Sequence, residues 1–200
     1  MGEFLTGPVL GEGPGAAWPG LDEVVARVRS SAPRLGPVRL MAIDGPAGSG
    51  KTTLAAAVAR RLVAAGDAVA TVHLDDLYEG WTGLEGVWDR LERDVLGPLS
   101  RGEAGRYQRY DWASGDRVQW RIVPVPDVLV VEGCGAAARA VDGRAAVRIW
   151  VEAPETVRLE RGLARDGQAM RDQWLAWMAD ESAHFTRERT RERADVRFAT

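Results

Sequence analysis

The stretch Asp44-Gly45-Pro46-Ala47-Gly48-Ser49-Gly50-Lys51-Thr52-Thr53 governs how the rest of the chain is read. Gly45 to Thr52 carry glycine, four free positions, glycine, lysine and a hydroxyl residue, the spacing of a phosphate-binding P-loop. Glycines let the backbone take positive φ, so that successive N–H groups can turn inward on an anion. A lysine at the seventh place reaches the outer phosphates, and the next hydroxyl can ligate Mg²⁺. In a chain with 23 glycines and a single lysine, the pattern arises by chance about once in 1,000. Lys51 is that lysine, against 25 arginines. A compact ammonium is retained where a planar guanidinium fork would not substitute.

The flanks agree with the motif. Pro37 to Ile43 reads as an apolar strand, and Thr53 to Ala65 as an alanine-rich helix beginning near Gly50, the strand–loop–helix order a P-loop requires. The expected phosphate contacts are Gly45, Ala47, Gly48, Ser49, Gly50, Lys51, Thr52 and Thr53, with the positive end of the helix behind them.

Two hundred residues, 46% hydrophobic, suit one domain with a real core. A net charge of −3 is unlike that of a general nucleic-acid binder. One cysteine, Cys134, allows no intrachain disulfide, and no run approaches the ~18 apolar residues of a membrane span. The expectation is a cytoplasmic protein with neither nucleic acid nor membrane as partner; a homo-oligomer stays open.

Along the chain, residues 1–20 hold six glycines and three prolines and read as a flexible leader, with a single domain over 21–200. Leu21, Val24, Val25 and Val28 mark one face of a helix that ends before Pro33. Asp67 to Leu74 is a second buried strand, closed by Asp75-Asp76-Leu77-Tyr78. Val87 to Leu99 looks helical, and residues 100–126 read as irregular, with room for a short hairpin at Arg117 to Val123. Asp127 to Gly133 and Ala145 to Val151 are further strands, Pro154 to Arg165 and Met170 to about Arg193 helices, and Ala194 to Phe198 a last strand. Strands alternating with helices predict a parallel α/β sheet of about five strands, covered on both faces.

This order of motifs resembles the uridine kinase-like branch of P-loop nucleoside kinases over about residues 38–198. The resemblance rests on the P-loop, Asp75-Asp76-Leu77-Tyr78, Tyr110-Asp111-Trp112, Val130-Val131-Glu132-Gly133, and Arg158-Leu159-Glu160-Arg161 followed by Arg165-Asp166. It implies an ATP- and Mg²⁺-dependent kinase acting on a hydroxyl of a small molecule, most readily a nucleoside. Asp75 would be the general base, a carboxylate within reach of the acceptor hydroxyl at the carboxyl end of a strand; the alternative is that Asp75 or Asp76 only caps the next turn. Thr52 and Glu132 would serve Mg²⁺. Lys51, Arg161 and Arg165 would neutralise charge on the transferring group, the arginines from a lid over about 161–172 that shares a helical face with Arg158. Tyr78, Tyr110, Trp112 and Arg117 would line the acceptor. The sequence departs from uridine kinases at Gly115, which falls where that family has a base-reading histidine, and Trp81 to Trp88 lacks its substrate-binding aspartate stretch. Ala42 to Lys51 also resembles cytidylate kinase, so a nucleoside monophosphate kinase is an alternative. So are a natural-product or antibiotic phosphotransferase and a non-catalytic nucleotide switch. Cys134, His73, His184, Trp174, Trp177 and Met178 read as packing or surface residues.

Overall fold

Strand β2 (Arg39–Asp44) alternates its side chains between two cores. Leu40 and Ala42 enter one, and Met41 and Ile43 the other, so the run reads as continuously apolar because both faces are covered. The computed structural model describes residues 3–6 and 18–200. Beside β2 stand β1 (Glu3–Thr6), β3 (Val69–His73), β6 (Val128–Glu132), β7 (Ala145–Glu152) and β8 (Val196–Ala199), in the order β1-β8-β7-β2-β6-β3, every pair parallel. This is the expected parallel α/β sheet, its five strands joined at one edge by β1. Of the leader expected over 1–20, residues 1, 2 and 7–17 lie outside the described residues, and Glu3–Thr6 contribute that edge strand.

Helix α1 (Leu21–Ser30) buries Leu21, Val24, Val25 and Val28, the face its periodicity predicts. Helix α2 (Lys51–Ala64) buries Leu54, Ala55, Val58 and Leu62 against the same side of the sheet. The opposite side is covered by α3 (Val87–Leu91), a wider π turn (Glu92–Leu96) and α4 (Gly97–Ser100). Helices α5 (Glu155–Asp166) and α6 (Arg171–Glu188) flank the phosphate loop. Arg189 at φ 53° breaks the single helix expected to Arg193, and α7 (Thr190–Arg193) follows.

The largest correction concerns residues 100–126, which are not irregular. They form an antiparallel hairpin of β4 (Gly105–Asp111) and β5 (Asp116–Val123), turned at Gly115 with φ 74° and bulged between Gln108 and Tyr110. Strand β5 is exposed along most of its length, so no buried alternation marks it; Trp120 and Ile122 lie open to solvent. No described helix is long and apolar enough to cross a membrane.

Candidate active site

At the carboxyl ends of β2, β3 and β6, where parallel α/β sheets bind ligands, lies a cavity of about 790 Å³. One end is the loop between β2 and α2. Gly45 has φ 144°, and a Cβ on it would stand 2.0 Å from the Val151 carbonyl oxygen, so no other residue fits. Gly48 and Gly50 have φ 78° and 94°. Among the described residues the N–H groups of Gly48, Gly50, Lys51, Thr52 and Thr53 find no acceptor, a row of open donors at a helix N-terminus. Asp44, wholly buried behind the loop, accepts from the N–H groups of Gly45 (2.7 Å), Gly135 (2.8 Å) and Ala137 (2.8 Å). Burial pushes it up to about 6, even though those three bonds pull it down.

Lys51 folds back on its own loop and donates to the Pro46 carbonyl at 2.9 Å. Burial lowers its ammonium, but the negative charge around it more than offsets this, so its pKa stands above the ordinary value. Burial also pushes the Cys134 thiol well up. The Thr52 hydroxyl donates to Glu132 Oε1 at 3.0 Å, leaving its lone pairs free for a cation. His73 Nδ1 meets the same oxygen at 2.6 Å, and that bond chiefly raises the His73 pKa. Sequence reasoning set His73 aside; only the pairing of β3 with β6 brings it to Glu132. Among the described residues no group of three or more His, Cys, Asp or Glu side chains could hold a metal ion alone. The Thr52 hydroxyl and the Glu132 carboxylate are oxygen donors of the kind Mg²⁺ takes when phosphate oxygens and water complete its shell.

Asp75 lines the same cavity as the loop. Its side chain is exposed, but into the cavity, with protein crowding its other sides. Burial and then the charge of Glu132 raise its pKa against Lys51, Arg165 and His73. Asp76 instead accepts from the Tyr107 hydroxyl at 3.1 Å.

The rest of the cavity is aromatic. Trp81 stands edge-on to Trp112 (5.4 Å), Trp174 (6.2 Å) and Trp177 (6.2 Å), and Tyr110 to Trp112 (5.6 Å). Trp174 and Trp177, expected as packing, are buried yet line the cavity. Trp112 Nε1 donates to the Asp75 carbonyl at 3.0 Å, fastening the hairpin to that loop.

The expected site residues mostly converge here. Ala47, Gly48, Gly50, Lys51, Thr52 and Thr53 line the cavity, as do Asp75, Glu132, Arg161, Arg165, Tyr110 and Trp112. Gly45 and Ser49 shape the loop from behind. Arg161 donates to the Gly48 carbonyl (3.1 Å) and to Thr200 Oγ1 (3.0 Å). Arg165 is paired with Asp166 and lies over Trp174. Two expectations are corrected. Arg117 lies outside the cavity, held by Glu79 at 2.8 Å on the far side of the hairpin. Arg158 does not join the other arginines, because its guanidinium turns behind the loop to a buried carboxylate, Glu181, at 2.8 Å. Tyr78 borders the cavity as a buried floor, its hydroxyl tied to the Cys134 carbonyl at 2.7 Å. Trp18 and Thr200 cover Gly50 without any motif to announce them.

Residues 41–192 match a family model described as an AAA domain. Among solved structures, a "possible uridine kinase" from Bacillus stearothermophilus is similar at 21% identity over 89% of this chain and 96% of that one, TM-score 0.64. A protein described as a fructose transport system kinase, from a Silicibacter species, shares 20% over 88% and 96%, TM-score 0.66. D-glycerate 3-kinase from Cryptococcus neoformans shares 16% over 90% and 92%, TM-score 0.60. Likeness at these identities is one of fold, the α/β fold of P-loop kinases. No curated protein matches the sequence.

Proposed function

The chain belongs to the AAA-domain family, and we propose that it is an ATP- and Mg²⁺-dependent phosphotransferase. It acts on a hydroxyl of a small molecule, with nucleoside-like acceptors favoured. The observation that carries this reading is that one cavity brings together two features: a loop whose N–H groups find no acceptor among the described residues, ending in Lys51 and Thr52, and the Asp75 carboxylate. A switch needs the first; only a transferase needs the second as well.

In this reading the loop N–H groups and Lys51 hold the donor's phosphates, and Thr52 with Glu132 holds Mg²⁺, which would neutralise phosphate charge. Asp75 accepts the proton of the acceptor hydroxyl as that oxygen bonds to the γ-phosphorus and the bond from that phosphorus to the bridging oxygen breaks, so that ADP leaves. Lys51, Arg161 and Arg165 meet the charge that develops on the transferred group. The indole and phenol rings of Trp81, Trp112 and Tyr110 suit an acceptor with a flat, weakly polar body, which favours a nucleoside over a short sugar acid. Arg109 at the same end supports a second reading, a phosphorylated acceptor as in nucleoside monophosphate kinases.

Release of ADP from Mg²⁺–ATP, screened against nucleosides, nucleoside monophosphates, sugars and aminoglycosides, tests the proposal. Stimulation by a nucleoside supports the first reading and stimulation by a monophosphate the second. No stimulation by any compound, with ATP bound, would leave a nucleotide switch.

A further inference from the structure

Glu181, on α6, is not among the residues lining the cavity and belongs to no motif, yet its carboxylate is 1% exposed and holds four donors from four places. Oε1 accepts from Arg158 on α5 at 2.8 Å. Oε2 accepts from the Ala47 N–H of the phosphate loop at 2.8 Å, from Trp177 Nε1 at 3.1 Å, and lies 3.3 Å from the Cys134 sulfur that follows β6. Arg158 also donates to the Ala47 carbonyl at 3.2 Å, so the Ala47 residue is gripped through both its N–H and its C=O.

We infer that Glu181 is a positioning residue that ties the phosphate loop to the aromatic wall of the acceptor end. A buried ion pair that served stability alone would need only Arg158 and Glu181; here the same carboxylate oxygen carries one donor from each end of the cavity. There is little slack in the link. The residue after Ala47 is Gly48, whose absent Cβ would sit 2.7 Å from the Arg158 carbonyl oxygen, so the loop cannot move there without moving α5. At the other end Trp177 packs edge-on against Tyr78 at 5.1 Å and against Trp81 at 6.2 Å. A phosphate seated on the Gly48 N–H thus bears on Ala47, through it on Glu181, and through Glu181 on the indole of Trp177. By linkage, an acceptor pressing on that wall bears equally on the phosphate loop. The inference rests on the reading that the loop binds nucleotide phosphates, and its test separates the two.

The protein is labelled with 5-fluorotryptophan, the Trp177 ¹⁹F resonance is assigned by its loss in Trp177→Phe, and Mg²⁺–ADP is titrated with calorimetry alongside. The expected result is a Trp177 shift that saturates with ADP binding in the wild type and is lost in Glu181→Gln while calorimetry still registers ADP. Glu181→Asp, which keeps the charge but withdraws the carboxylate by one methylene, replaces Glu181→Gln if that variant does not fold, with the same expectation. Bound ADP with an unmoved Trp177, or an undiminished shift in the Glu181 variants, overturns the inference and leaves the kinase reading standing. Failure of the wild type to bind ADP overturns the kinase reading itself, and this inference with it.

Discussion

The two ends of the cavity solve their problems in opposite ways. The phosphate end is polar, local and fixed: ten consecutive residues carry nearly all of it, with Asp44 and the glycines setting the backbone before any ligand arrives. The acceptor end is aromatic and assembled from segments far apart in sequence, Trp81 from one loop, Tyr110 and Trp112 from a hairpin, Trp174 and Trp177 from α6. Triphosphate tails are alike, so a preorganised set of dipoles serves them all. Acceptors differ, and the rings of Trp81, Tyr110 and Trp112, unlike that of Trp177 with its bond to Glu181, can be exchanged without disturbing the loop.

If this division holds, substitutions at each end should separate binding from turnover. Asp75→Asn should have the largest effect, lowering turnover by about 10²–10⁴ with ATP affinity retained; equal loss of both, by calorimetry and ADP release, would erase the distinction. Because the Asp75 pKa is raised above the ordinary 3.8, kcat/KM should fall with decreasing pH along a limb centred above 3.8. The same shift sets a stability sign. Stability linked to this group is fully present below its unfolded pKa and lost as pH rises through the folded one, so ionised Asp75 opposes folding at neutral pH. Asp75→Asn should melt no lower than the wild type. Lys51→Ala should come next, with ATP affinity and turnover falling together, turnover by about 10²–10³, and acceptor binding spared. Asp44→Asn should act on the fold. Its amide group would oppose one of the N–H donors now shared by two carboxylate oxygens, at a cost of about 1–3 kcal/mol in denaturant titrations.

The same division explains what could be read in the sequence. The P-loop is legible because each of its residue types answers a requirement of the backbone or the anion at a fixed spacing. Parallel strands such as β2 and β6 are legible because burial on both faces leaves an unbroken apolar run. Asp75 and Glu132 follow, since strand ends beside the loop are where a ligand must lie. Glu181 was not legible: an acid amid the polar residues of a surface helix looks solvated until α6 is docked. His73 reads as an ordinary strand histidine, and its meaning depends on which strand lies beside it. The hairpin is hidden because its exposed strand carries no alternation, and only nearness in sequence to Trp112 points Arg117 to the site.

The smallest expected effect tests the hairpin's part in the comparison. Trp112→Phe keeps a ring against Trp81 and Tyr110 but deletes the indole N–H that meets the Asp75 carbonyl. Trp112 is 40% exposed, so water can replace that partner. Overall stability should stay within about 0.5 kcal/mol of the wild type, as for other surface changes. What should change is the placement of Asp75, read as a fall of up to about tenfold in kcat/KM for the acceptor with ATP affinity untouched. A matching loss in ATP affinity would mean that the hairpin steadies the phosphate loop too, and that the two ends are less separable than their construction suggests. An unchanged kcat/KM would mean that Asp75 is held by the buried Leu74 and Leu77 on either side of it, with the hairpin serving only as a wall.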